Sequence, residues 1–164
     1  MHNVVIEPYS DAYKKEVASL IIGIQNGEFG IDISLEMQPD LSEIPRIYQV
    51  NDGNFWIARK DEDVVGTIAL LDIGNHQGAL RKMFVAKHYR GKEFGIGQAL
   101  LDNLVAWAGK RGMVELILGT TEKFLGAQRF YEKNGFKEIR KQDLPAGFPI
   151  MTVDVKFYRL NVSP

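Results

Sequence analysis

Residues 90–101 read Arg-Gly-Lys-Glu-Phe-Gly-Ile-Gly-Gln-Ala-Leu-Leu, with glycine at three of the seven positions from 91 to 97. The stretch before it, Gly78–Val85, reads as a strand. The stretch after it, Gly97–Arg111, carries Leu100, Leu101, Leu104, Val105 and Ala108 on one side of a helix. A chain that runs from strand through glycines into helix is building an α/β fold. The glycines stand where the helix leaves its first N–H groups without partners and where its dipole favours negative charge. Removing the Cβ atoms lets an anion approach those N–H groups, so the turn reads as a phosphate or pyrophosphate site, with Arg90 and Lys92 beside it. The plainer alternative is a loop that needs positive φ and nothing more. Two sharper motifs are excluded. A P-loop ends in Gly-Lys-Ser/Thr, whereas Gln98 and Ala99 follow Gly97; a dinucleotide fingerprint needs glycine or alanine where Leu100 stands.

The rest of the chain reads as alternating short elements. Asn3–Glu7 is a first strand and Asp11–Gln25 an amphipathic helix through Val17, Leu20, Ile21 and Ile24. Residues 26–39 read as irregular. Asp40 and Glu43 have capping-box spacing, which predicts a short helix from Asp40 to about Val50, with Pro45 tolerated in its first turn. Residues 55–59 and 64–72 are two strands joined by the polar Lys60–Asp63 loop. Beyond Gly112, which caps the long helix, residues 114–118 form a buried strand and Phe124–Lys133 a helix stopped at Asn134-Gly135. Phe136–Ile139 and Met151–Leu160 close the series. The order β-α-α-β-β-β-α-β-α-β-β predicts a mixed sheet with helices on its faces, in one domain over residues 1–164.

Composition narrows the function. The 164 residues are 45% hydrophobic and 25% charged, with a formal net charge of −1, so neither nucleic acid nor an anionic membrane is an expected partner. With no cysteine there is no disulfide frame, thiolate zinc site or thiol nucleophile. His2, His76 and His88 lack metal-ligand spacing, and no metal is expected. No apolar run approaches the roughly 20 residues that span a bilayer, and the N-terminus has no basic-then-apolar leader. A cytoplasmic location is expected.

Two motifs together carry a family resemblance. Lys92-Glu-Phe-Gly95-Ile-Gly97 resembles the Gln/Arg-x-x-Gly-x-Gly/Ala signature of the GNAT superfamily of acyl-CoA-dependent N-acyltransferases, with lysine in the leading place. Tyr89–Lys92 and Gly95–Gly97 also resemble the family's Tyr-Arg-Gly-Lys-Gly-Ile-Gly wording, with Glu93-Phe94 as an insertion. Either Arg90 or Lys92 fills the family's basic position. Ala127-Gln-Arg-Phe130-Tyr131-Glu132-Lys-Asn-Gly135-Phe136 matches a second family pattern at every fixed place, although Phe124 stands where asparagine is common.

The resemblance implies a GNAT-like mixed, mostly antiparallel sheet of about seven strands flanked by about four helices. It implies acetyl-CoA as co-substrate and a primary amine as acceptor, joined by direct attack in a ternary complex. It places the coenzyme on Met83, Phe84 and Val85, on Arg90, and on Lys92, Glu93, Phe94, Gly95, Ile96, Gly97 and Gln98. It makes Tyr131 the general acid that protonates the departing thiolate, a role a phenol can fill; the alternative is an aromatic packed in the core. No acid lies on Ala79–Lys87, where some members carry a glutamate base. Glu28, Asp32, Asp72 and His76 remain open for that role, and Arg81 or Lys82 for drawing in an acidic acceptor. The segments 26–40 and 141–150 correspond to the family's acceptor pocket. Their Phe29, Ile31, Met37, Leu144 and Phe148, with Glu28 and Asp32 as substrate-binding carboxylates, imply an apolar pocket with an acidic side. A monomer or homodimer is expected. The competing function on the same fold is a non-catalytic acyl-CoA-binding or regulatory module.

Overall fold

Side chains alternate across a strand, and here both sets are apolar. Trp56 and Ala58 of the second strand point to one face, Phe55 and Ile57 to the other. Such strands must be covered on both sides. The computed structural model describes residues 4–122, 124–151 and 154–162. In it β1 (Val4–Pro8), β2 (Asn54–Lys60), β3 (Asp63–Asp72), β4 (Gln77–Val85), β5 (Glu115–Thr120), β6 (Lys137–Ile139) and β7 (Lys156–Asn161) form one sheet in the order β1-β2-β3-β4-β5-β7-β6. Only β4 and β5 run parallel; the other neighbours are antiparallel.

Four α-helices cover the faces: α1 (Lys14–Ile22), α2 (Ile44–Ile47), α3 (Ile96–Lys110) and α4 (Leu125–Lys133). Leu100, Leu101, Leu104 and Ala108 of α3 meet Trp56, Ile68, Leu70 and Leu116, and Tyr131 of α4 joins them with Phe136 and Tyr158. On the opposite face Val17 and Ile21 of α1 and Ile44 of α2 meet Tyr48, Phe55, Ile57 and Ala69. A third cluster joins Ala79, Ile117 and Phe157 to Phe148 of the 140–150 loop. The expected element order and sheet are therefore present.

Three local readings change. Residues 26–28 are not irregular: the first helix, expected to end at Gln25, continues through a π-helical turn over Gly23–Glu28. The capping box at Asp40 does not form. Pro39–Ser42 is a 3₁₀ turn, and α2 follows with no side-chain cap. The Asp40 carboxylate instead accepts the Tyr48 hydroxyl at 2.6 Å, a buried tertiary partner that outweighs a local cap, while Glu43 pairs with Arg46. The last strand starts at Lys156 rather than Met151, because Asp154 turns back on Met151 through N–H to C=O at 3.0 Å. Asn3 of the first expected strand, Thr152 and Val153 of the last, and His2 lie outside the described residues.

Candidate active site

The parallel pair β4–β5 holds together over Gln77–Ala79 and Glu115–Ile117 only. Beyond Ala79 and Ile117 the two strands part. β4 departs because it bulges: Thr67 pairs with Phe84 but Ala69 with Arg81, and Lys82 takes φ 52° at the extra residue. The Thr67 hydroxyl donates to the Lys82 carbonyl at 2.7 Å and fixes the bulge. The opening between the strands contains two adjoining cavities of about 400 Å³ and about 460 Å³, both bounded by Met83, Val85, Arg90, Gly126, Ala127 and Tyr131.

The outer cavity ends at the glycine turn. Lys92 and Gly95–Gln98 line it, facing Phe130 and Lys133 of α4. The glycines do different work. Gly95 precedes α3 with φ 63°, a left-handed conformation that costs other residues roughly 1–2 kcal/mol, and no side chain caps the helix. Gly97 needs no special φ; a Cβ there would stand 3.5 Å from the Met83 methyl and 3.9 Å from Val85, so its hydrogen keeps the groove open. The Gly95 carbonyl receives the Ala99 N–H at 3.0 Å, so the N–H groups of residues 96–98 come before the helical ladder. Helix entries of this form favour anions.

The other expected coenzyme residues divide. Met83 and Val85 line both cavities and Phe84 the inner one. Arg90 also lines both, but its guanidinium donates to both Glu28 carboxylate oxygens and, at 2.8 Å, to the Val85 carbonyl. Lys92 is exposed and forms no ion pair among the described residues. The Gln98 side chain bridges Asp102 and Asn134, leaving its backbone for any anion. Glu93 and Phe94 line neither cavity; Phe94 stacks edge-on against Tyr89 at 5.4 Å. Lys133, Phe130 and Ala127 complete the outer groove. Sequence reading missed their part, though Ala127, Phe130 and Tyr131 share one face of α4 at i, i+3, i+4 spacing.

Tyr131 stands where the cavities meet. Its ring packs against Phe130, Phe136 and Tyr158, and its hydroxyl bonds to no described residue. Burial pushes the phenol well above its ordinary pKa, so it remains protonated at neutral pH.

The inner cavity is bounded by Phe29, Phe84 and Phe124, with Phe124 edge-on to Phe29 at 4.7 Å and to Phe84 at 6.3 Å. Its charged lining is Arg81, Lys82, Arg90 and Asp154. Lys82 is nearly enclosed, 8% exposed; its ammonium donates to Gln38 Oε1 and lies 3.6 Å from Asp40. Burial lowers its pKa to about 8, against the opposing pull of Asp40. Arg90 holds the Glu28 carboxyl below its usual range. Asp32 is exposed and borders neither cavity, and neither do Asp72 and His76. Of the apolar residues expected in the acceptor pocket, Phe29 lines the inner cavity and Phe148 a smaller one beside it. Ile31 is buried, Met37 is 61% exposed, and Leu144 packs on the Ala79–Phe148 cluster. Among the described residues no group of three acids or histidines is placed to hold a metal, and no helix is long and apolar enough to cross a membrane.

A seven-stranded sheet parted at its parallel pair, with a glycine-rich helix entry at the mouth, is the architecture of an acyl-CoA-dependent acyltransferase. Residues 51–138 match the acetyltransferase (GNAT) domain. The chain belongs to the GNAT acetyltransferase family. A GNAT-family acetyltransferase from Staphylococcus aureus Mu50 superposes with a TM-score of 0.93 at 41% identity, covering 98% of this chain and 99% of that one. N-acetyltransferase 8B of Rattus norvegicus is 29% identical over 140 residues, 80% of this chain; the chain spans 60% of that relative's length. The PaiA N-acetyltransferase of Thermoplasma acidophilum, solved in complex with coenzyme A, shares the fold at TM-score 0.73 and 20% identity, over 97% of this chain and 99% of that one.

Proposed function

We propose that residues 1–164 act as one N-acetyltransferase domain, which moves an acetyl group from acetyl-CoA to a primary amine by direct attack in a ternary complex. The observation that carries this reading is the parted β4–β5 pair: a continuous passage runs from an anion-attracting helix entry, past Tyr131, to a charged inner cavity.

The chain's own groups fit acetyl-CoA. The N–H groups of Ile96, Gly97 and Gln98, with Lys92 and Lys133 beside them, would hold its pyrophosphate. The edge of β4 from Met83 to Val85 has lost its β5 partner and would pair with the amide-rich pantetheine arm as an added strand. Glu93 and Phe94 would contribute through the loop's shape, and Arg90 by pinning that loop to β4 and Glu28. Tyr131 would give its proton to the departing thiolate. Its raised pKa keeps it protonated before the step and returns the proton to it afterwards, while making it a weaker donor than an unshifted phenol. Glu28 and Asp32 would touch the acceptor only in passing, since one is paired with Arg90 and the other faces solvent. The protein would work as a monomer or homodimer in the cytoplasm.

The test is thiol release from acetyl-CoA over a panel of amines. Tyr131→Phe is expected to lower turnover by ~10²–10⁴-fold while acetyl-CoA affinity holds. Unchanged turnover would return Tyr131 to packing alone. Coenzyme binding with no turnover on any amine would favour a non-catalytic acyl-CoA binder.

A further inference from the structure

We infer that the acceptor is a small amine that also carries a carboxylate, of the amino-acid type, with its carboxylate on Arg81 and its ammonium on Asp154. The inference deepens the N-acetyltransferase reading and rests on it.

The cations of the inner cavity are not equivalent. Lys82 spends its ammonium on Gln38 and Asp40, and Arg90 spends its guanidinium on Glu28 and the Val85 carbonyl. Arg81 alone of the three has no carboxylate partner among the described residues. Its Nη2 lies 3.2 Å from the Met151 sulfur, a weak acceptor, and its guanidinium sits 5.9 Å from the centre of the Tyr48 ring. The Arg81 fork meets a thioether and the Tyr48 side chain but pairs closely with no described carboxylate, so its planar donors fit a carboxylate brought in by a ligand. The β4 bulge allows this, because it brings the neighbours Arg81 and Lys82 to the same opening, where a regular strand would send one to each face.

Among the described residues Asp154 is the only carboxylate lining either the inner cavity or the small chamber of about 110 Å³ beside it, which Arg81, Lys82, Gln25, Phe148 and Met151 also line. Its Oδ2 accepts the Met151 N–H at 2.9 Å. Its carboxylate lies over Gly119, where an added Cβ would approach within 2.6 Å, so the absence of a side chain on β5 makes its seat. The charged or titratable groups lining the same cavity are Arg81 and Lys82 from β4, Arg90 beyond it and Tyr131 across it; β5 supplies only the uncharged Leu118, Gly119 and Thr120. Burial raises the Asp154 pKa from its ordinary value, which makes it a better proton acceptor. With Lys82 taken up by Asp40 and Gln38, Arg81 and Asp154 are the opposite charges left facing this chamber, which is the charge pattern a zwitterion would meet.

The reaction balances on these groups. The acceptor's –NH₃⁺ gives one proton to Asp154, and the amine attacks the thioester carbonyl. The C–N bond forms, the C–S bond breaks, and the thiolate receives a proton from Tyr131. Tyr131 recovers that proton from the second N–H lost by the nitrogen. The third hydrogen stays on the amide, and Asp154 releases its proton to solvent.

The experiment compares matched acceptors by thiol release at saturating acetyl-CoA: an amino acid, its carboxamide and its decarboxylated amine. The amino acid is expected to win by ~10–100-fold in kcat/KM, the worth of a charge-assisted pair. Arg81→Gln should bring the three acceptors close to one another, chiefly through KM, with acetyl-CoA affinity unchanged. Asp154→Asn should lower kcat and remove the acid limb of its pH profile. A wild-type protein that acetylates the carboxylate-free amines equally well overturns the inference and leaves the N-acetyltransferase reading standing. Failure of coenzyme binding, or no thiol release with any amine, overturns both. Loss of the acid limb in Lys82→Met but not in Asp154→Asn would overturn the role of Asp154. The wild-type comparison needs no variant to fold.

Discussion

At the scale of single residues, Gly95 and Gly97 separate two demands that look alike in a sequence. Gly95 answers to backbone conformation and Gly97 to space. Gly97→Val should place methyl groups against Met83 and Val85 in the outer cavity and abolish coenzyme A binding by calorimetry, with the melting temperature nearly kept. Gly95→Ala should do the reverse, binding coenzyme A but unfolding about 1–2 kcal/mol more easily, because an L side chain resists φ 63°. Equal losses in both variants would mean that the two positions share one role. The turn and the Tyr131 motif were legible in sequence, because each is a contiguous run with chemistry of its own. Asp154 and Lys133 were not. Their partners come from β4, β5 and α3, and no spacing along the chain announces them. Asp40 shows the converse: its spacing from Glu43 is that of a cap, yet Tyr48 and Lys82 take its carboxylate.

At the scale of elements, the strands were readable because apolar residues on both faces leave little else possible, and α3 because its stripe is long. The π-helical end of α1 beyond Gln25 was hidden, since Asn26-Gly27 read as loop residues and the turn is held by tertiary contact. Arg90 grips Glu28, and Phe29 leans on Phe124. The turn before β2 depends on an approach too close for any side chain. A Cβ on Gly53 would stand 2.4 Å from the Tyr48 carbonyl and 2.6 Å from that of Leu70. Backbone oxygens cannot step aside as a side chain can, so Gly53→Ala is expected to cost about 1–3 kcal/mol in urea unfolding. A variant as stable as the parent would show that this turn yields freely.

At the scale of the molecule, the buried Lys82 makes stability depend on pH. Its folded pKa, about 8, lies below the unfolded value of 10.5. Between those values the unfolded chain holds a proton that the native protein has released, so this group's contribution to stability rises with pH. Relative to Lys82→Met, the parent should gain about 2 kcal/mol from about pH 7.5 to about pH 9.5. Above that window the sign reverses through the tyrosines. Burial holds Tyr48 and Tyr131 above their unfolded value, so rising pH ionises the unfolded chain first. Parallel pH curves for parent and variant would remove Lys82 from this account.

The seam between β4 and β5 has a mechanical meaning as well. Two half-sheets, β1 to β4 on one side and β5, β7 and β6 on the other, share only three strand-paired residue pairs, the rest of their contact being side-chain packing. If that short seam flexed, the run of β4 from Leu80 to Val85, paired with β3 but not with β5, would move with its half-sheet as an arm of about 20 Å at strand rise. A rotation of roughly 3° at the seam would carry the tip about 1 Å, a misplacement that can slow a positioned reaction about a hundredfold. The Gln77 amide, which donates to Glu115 Oε1 at 2.6 Å across the seam, would therefore sit at the fulcrum of the cleft, although it touches neither cavity.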